Sequence, residues 1–75
     1  MTNRLNEMVG NWYGYQEDII AELNEMGLDA HEVNSEYITT VYIDEETDED
    51  VVVMLRLGGT PRTITIERVE EIYRG

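Results

Sequence analysis

Residues 44 to 50 read Asp-Glu-Glu-Thr-Asp-Glu-Asp, six carboxylates in seven positions between two strand-like runs. Such a run offers cation coordination, steering of a basic partner, or imitation of a nucleic-acid backbone. An EF-hand loop needs a central Gly and a closing Glu at fixed spacing, and the run has neither, so no metal site is expected. Acid-base and nucleophilic chemistry have little to draw on. The chain holds one His, His31, one Ser, Ser35, and no Cys or Lys. Asp29, His31 and Ser35 fall within seven residues, but working triads gather residues from distant parts of a fold and need an oxyanion hole, so these read as surface turn residues. The chain is expected to be no enzyme, with no catalytic residues and no cofactor.

Seventeen Asp and Glu face five Arg, for a net charge of -12. Phosphate repulsion then opposes binding to nucleic acid or to an anionic membrane, and the expected partner is basic. Adaptation to a high-salt cytoplasm, where the Debye length shrinks to ~3 Å at molar ionic strength, is the competing explanation. Against it, Glu outnumbers Asp and the charge is concentrated in one turn and one short helix.

The 75 residues are expected to form a single domain over 1–75, close to the size at which one core suffices. No apolar run reaches the ~18 residues that span a bilayer, and the N-terminus lacks the pattern of a signal peptide. Together with the absence of Cys, this leads to the expectation of a cytoplasmic protein.

Leu5, Met8 and Val9 sit at helical spacing, with Thr2 or Asn3 as a cap and Gly10 as a stop. Ile20, Leu23 and Met26 mark a second helix, closed by Gly27 and a hydrophobic contact from Leu28. Between them, Trp12, Tyr13, Gly14 and Tyr15 favour extended structure, while the 3.6 period through Leu5, Met8, Trp12, Ile19 and Leu23 also allows one unbroken helix. A polar turn is expected over residues 29–35, then a strand over 36–43. The acidic turn leads to a second strand over 51–57, Gly58-Gly59-Thr60-Pro61 reverses the chain, and a third strand covers 62–67. Val69, Ile72 and Tyr73 fit a last helical turn or the end of a further strand.

The expected fold is therefore α+β: two short N-terminal helices flanking an edge strand, packed on an antiparallel β-meander of three to four strands. Its middle strand is apolar on both faces, with Val51, Val53, Leu55 and Leu57 on one side and Val52 and Met54 on the other. So small a chain has too little helix to cover both, which predicts an apolar patch or cavity unless the N-terminal segment closes it.

Alternate side chains along a strand are ~6.7 Å apart, close to two steps of ~3.4 Å along a DNA strand, so carboxylates on a strand can stand in for phosphates. Asp44-Glu45-Glu46-Thr47-Asp48-Glu49-Asp50-Val51 resembles the hairpin Asp-Glu-Ser-Thr-Asp-Glu-Asn-Val of the phage uracil-DNA glycosylase inhibitor family, small acidic proteins that mimic DNA. Upstream, Gln16-Glu17-Asp18-Ile19 resembles that family's Gln-Glu-Ser-Ile, and Glu22-Leu23-Asn24-Glu25-Met26-Gly27 resembles its following helix. The likeness covers most of residues 1–57 and fades beyond.

The resemblance implies an edge strand across residues 11–18, with Gln16, Glu17, Asp18 and Ile19 in the groove of the enzyme and Glu22 and Glu25 beside them. It further implies that Leu23, Met26, Val52 and Met54 line an apolar pocket for a side chain of the enzyme, where Met suits an adaptable wall. Asp18 departs from the family's Ser, and the Pro before its second helix is absent. The implied function is inhibition of uracil-DNA glycosylase by a monomer in a 1:1 complex, in the cytoplasm of an infected bacterium. The alternatives are inhibition of a restriction or CRISPR nuclease by the same mimicry, or a salt-adapted acidic interaction domain.

Overall fold

The computed structural model of the chain describes residues 2–60 and 62–75, with backbone alone at residues 2 and 3. In chain order the elements are α1 (Thr2–Asn6), β1 (Trp12–Tyr13), α2 (Gln16–Glu25), β2 (Asp29–Glu32), β3 (Tyr37–Ile43), β4 (Asp50–Thr60) and β5 (Thr63–Arg74). The strands form one antiparallel sheet in the order β1-β5-β4-β3-β2. It is the expected α+β arrangement, a four-stranded meander with a short strand from between the helices added at one edge.

Residues 16–18 are helical, which corrects the strand expected across 11–18. Glu17 and Asp18 place negative charge in the first turn of α2, where the helix dipole favours it. Asp18 also reaches back, its Oδ2 accepting the Tyr15 backbone N–H at 3.2 Å. This local cap outweighs the strand preference of the aromatic residues beyond Tyr13. Within this segment Trp12 and Tyr13 form the strand, opposite Thr65 and Ile64.

The far end of α2 closes as the sequence predicts. Gly27 takes φ 83, its N–H bonds to the Asn24 carbonyl at 3.0 Å, and the Leu28 N–H reaches the Leu23 carbonyl at 3.0 Å. Leu23 and Leu28 are both buried, which supplies the hydrophobic contact of this cap. In α1, the expected cap at Thr2 or Asn3 lies outside the described side chains. Gly10, at φ 88, ends that segment. Its N–H bonds to the Ile66 carbonyl at 3.0 Å, tying the N-terminal segment to β5.

β2 is a second correction, since Asp29–Glu32 was expected as turn. Asp-Ala-His-Glu has little strand preference of its own. It is held extended by pairing with β3 from Asp29↔Val41 to Glu32↔Ile38, by burial of Ala30, and by the buried Thr40 hydroxyl, which donates to the Asp29 carbonyl at 2.9 Å. β4 runs past the expected Gly58-Gly59 turn and reverses only between Thr60 and Thr63. Pro61, part of that expected turn, lies outside the described residues. Gly59 sits at φ 101, and an added Cβ would run into the Thr63 carbonyl oxygen. β5 continues to Arg74, so Val69, Ile72 and Tyr73 belong to a strand. Register shifts against β4 leave Glu67 and Ile72 as bulged residues.

Both helices lie on one face of the sheet. Leu5, Met8, Ile19, Leu23 and Leu28 pack there against Ile38, Val51, Val53, Leu55, Leu57 and Ile66. Because side chains alternate along a strand, the intervening residues of β3 and β4 point to the other face. Among the described residues, that face carries no helix.

Candidate functional site

The acidic turn joins β3 to β4 as a compact loop. The Asp44 N–H bonds to the Glu49 carbonyl at 2.9 Å and the Asp48 N–H to the Asp44 carbonyl at 2.7 Å. The Asp44 side chain accepts the Glu46 N–H at 2.9 Å, an Asx turn that explains why an Asp opens the loop. Asp48 occupies the left-handed region at φ 60.

Arg74, at the end of β5, gathers three carboxylates at the base of this loop. Its Nη1 lies 2.7 Å from Asp44 Oδ2 and 3.5 Å from Glu49 Oε1, and its Nε lies 2.6 Å from Glu71 Oε1. The Arg74 guanidinium holds the Asp44 and Glu71 carboxyls below their ordinary values, and the clustered carboxylates push Arg74 up. Glu45, Glu46, Asp48 and Asp50 have no ion-pair partner among the described residues. The loop is neutralised at its base and charged at its tip.

A second acidic feature runs along α2. Asp18, Glu22 and Glu25 are spaced by four and three residues, which lines them on one helix face with rises of ~6.0 and ~4.5 Å. None of the three, nor Glu17, has an ion-pair partner among the described residues. The Tyr13 hydroxyl donates to Glu22 Oε2 at 2.7 Å and fixes its orientation. Burial, and then the Glu22 carboxylate, push the Tyr13 phenol above its ordinary value. Gln16 fastens the start of α2 to the β2–β3 turn, its Nε2 donating to the Asn34 carbonyl at 2.9 Å. Its Oε1 is buried without a hydrogen-bond partner among the described residues.

Of the residues expected to meet a partner, Glu17, Asp18 and Glu25 are exposed, while Gln16 and Glu22 are half-buried. Ile19 is fully buried and is therefore a core residue rather than a contact. The expected apolar pocket divides in two. Leu23 is fully buried in the core, and Met26 lines an open groove of about 490 Å³ between α1 and α2, with Arg4, Glu7, Met8, Asn11, Glu22 and Glu25. Val52 and Met54 are half-buried on the opposite, helix-free side of the sheet. Strand alternation is the cause, because Val51, Val53, Leu55 and Leu57 take the helix side and turn the residues between them away.

Two aromatic residues beside the first turn of α2 were missed. Trp12 is 61% and Tyr15 70% exposed, and exposed aromatic side chains next to charge mark many protein interfaces. Their clustering with Tyr13 in the sequence was the available signal, read there as strand preference. Asp29 and His31 pair at 3.1 Å on the edge strand, both well exposed.

Among the described residues, no group of three or more His, Cys, Asp or Glu side chains has the geometry to hold a metal ion. No helix among them is long and apolar enough to cross a membrane. No family model, curated protein or solved structure matches the chain.

Proposed function

We propose that the chain is a non-enzymatic, acidic DNA mimic that occupies the DNA-binding cleft of uracil-DNA glycosylase as a monomer in a 1:1 complex. The carrying observation is the set of carboxylates with no ion-pair partner among the described residues: Asp18, Glu22 and Glu25 in a row on α2, Glu45, Glu46 and Asp48 at the hairpin tip, and Asp50 at the start of β4. The rises of ~4.5 to ~6.0 Å along α2 fall between one and two steps of ~3.4 Å along a DNA strand, so a helix replaces the strand as the carrier of phosphate-like charge. Three of the five Arg are engaged in ion pairs on β4 and β5, away from this row. The target follows from the resemblance of residues 16–27 and 44–51 to the phage inhibitor family, which also implies the cytoplasm of an infected bacterium as the place of action.

Inhibition here is occupancy, with no bond made or broken. Net charge steers a fast, salt-sensitive approach to a basic cleft, and Trp12 and Tyr15 supply apolar contact beside the carboxylates. Adding an equimolar amount of the protein to a uracil-excision assay at low salt is expected to abolish activity. Unchanged excision rules the target out.

One observation favours a second reading. Gln16 to Asp18 are helical, and a helix needs a wider groove than an edge strand. A restriction or CRISPR nuclease with a broader basic channel is then the target, and cleavage assays with such nucleases separate the two readings.

A further inference from the structure

The face of the sheet turned away from the helices is apolar in the middle and charged at its two ends. Side chains alternate along a strand, so β4 presents Asp50, Val52, Met54 and Arg56 there in turn. Val41 and Tyr73 flank Val52 on β3 and β5, and Ile43 pairs with Asp50. Val41 is 38%, Ile43 60% and Tyr73 58% exposed, where an ordinary solvated face alternates to polar residues.

Arginine marks one end of this face. Arg56 pairs with Arg68 across β4 and β5, and Arg62 lies in the turn between the two strands. Glu67 and Glu70 balance Arg56 and Arg68 locally, at 3.7 and 2.6 Å. The other end is about 20 Å away along β4. There stand Asp50 and the hairpin carboxylates Glu45, Glu46 and Asp48, without ion-pair partners among the described residues.

Such a face is complementary to itself turned end for end. Two sheets stacked about a two-fold axis that crosses β4 between Val52 and Met54 set Val52 of one copy over Met54 of the other, and Arg56 over Asp50. The contact is isologous, so each ion pair forms twice, and the apolar bands cover each other at a sheet spacing of ~10 Å. Asp50 gains the cation it lacks in the single chain. A purely basic partner would meet the arginines at one end, and a purely acidic one the hairpin at the other. Overlap of residues 50–56 across β2 to β5, with strands ~4.8 Å apart, covers roughly 400 Å² of sheet per copy, at the low end for specific interfaces. A contact of that size exchanges with the monomer.

We propose that the free chain forms a face-to-face, end-for-end dimer with a second copy through this bare sheet face, in exchange with the monomer of the 1:1 complex. The dimer goes beyond the inhibitor reading and does not rest on it. Because α2 lies on the far side of the sheet, its carboxylate row stays outside the interface.

Sedimentation equilibrium of the full chain, from micromolar to millimolar concentration, is expected to show a monomer–dimer equilibrium. The double variant Val41→Thr, Tyr73→Thr removes apolar surface from the band while keeping residues that favour strands, and an unchanged circular dichroism spectrum checks its fold. It is expected to raise the dimer Kd at least tenfold. Asp50→Arg sets like charges against each other and is expected to weaken the dimer similarly, whereas Asp50→Arg combined with Arg56→Asp exchanges the pair and is expected to restore it. A wild type that stays monomeric throughout overturns the proposal, and so does a dimer indifferent to the Val41, Tyr73 variant. A dimer weakened by that variant but not by Asp50→Arg overturns the end-for-end arrangement. A monomeric wild type whose Val41, Tyr73 variant inhibits uracil excision less well assigns the face to the enzyme and overturns the dimer.

Discussion

Arg74 decides how much of the acidic loop is free to act. It binds Asp44 across 30 residues of sequence, so the run of carboxylates gave no local sign that its base is neutralised. The Arg74 hydrogen bonds depress the Asp44 and Glu71 carboxyls. A depressed folded value adds stability above the unfolded pKa, and that stability is lost as pH falls through the folded value, so the loop base loosens below about pH 4. Carbon-detected NMR titration is expected to give Asp44 and Glu71 midpoints below ordinary carboxylate values in the wild type and higher ones in Arg74→Gln, with Asp44 still held down in part by the Glu46 N–H. Equal midpoints in the two proteins contradict the clamp. Asp48 carries a different local cost, because a side chain at φ 60 is strained where Gly is not. Asp48→Gly is expected to stabilise the fold by about 0.5 to 1 kcal/mol, read as a higher urea midpoint. Leu23, assigned by resemblance to an open pocket, is instead fully buried. Leu23→Ala is expected to cost about 3 kcal/mol, a large share of what a small domain has to lose.

At the scale of elements, what the sequence revealed depended on whether an element is made by its own residues. β3 and β4 are rich in β-branched and aromatic residues, and α2 carries its own apolar stripe and Gly27 stop, so each is readable in isolation. β2 is not, because Asp-Ala-His-Glu becomes a strand only through its pairing with β3. The start of α2 is obscured for the opposite reason. Its signal is local, two acidic residues in the first turn with Asp18 reaching back to Tyr15, but the aromatic strand preference and the resemblance both point to a strand. The candidate site inherits this division. The carboxylates were readable as charge, whereas the partition of Met26 from Val52 and Met54 follows from which side of the sheet the helices cover, which is a tertiary fact. The end of α2 can be tested directly. Gly27→Ala places a Cβ at φ 83 and is expected to lower stability by about 1 kcal/mol in urea denaturation. A neutral result would mean that the Schellman bonds are not what ends the helix.

For the whole molecule, the net charge of -12 acts on folding and on binding with opposite signs. In the isolated protein, the carboxylates on α2 and at the hairpin tip repel one another, and raising salt from ~0.01 to ~1 M shortens the Debye length from ~30 to ~3 Å. Salt should therefore raise the urea midpoint steadily. The same screening weakens attraction to a basic cleft, so association with the proposed glycosylase target should slow and Kd should rise over that range. A salt-adapted domain predicts a different pair of curves: loss of fold in dilute buffer, and no partner whose binding depends on its charge. Thermal melts and inhibition assays along one salt series thus carry the decision. A protein that stays folded at ~0.01 M salt, and that inhibits best there, is using its acidity for recognition. One that unfolds below about molar salt is using it for solvation, and the proposed inhibition falls with it.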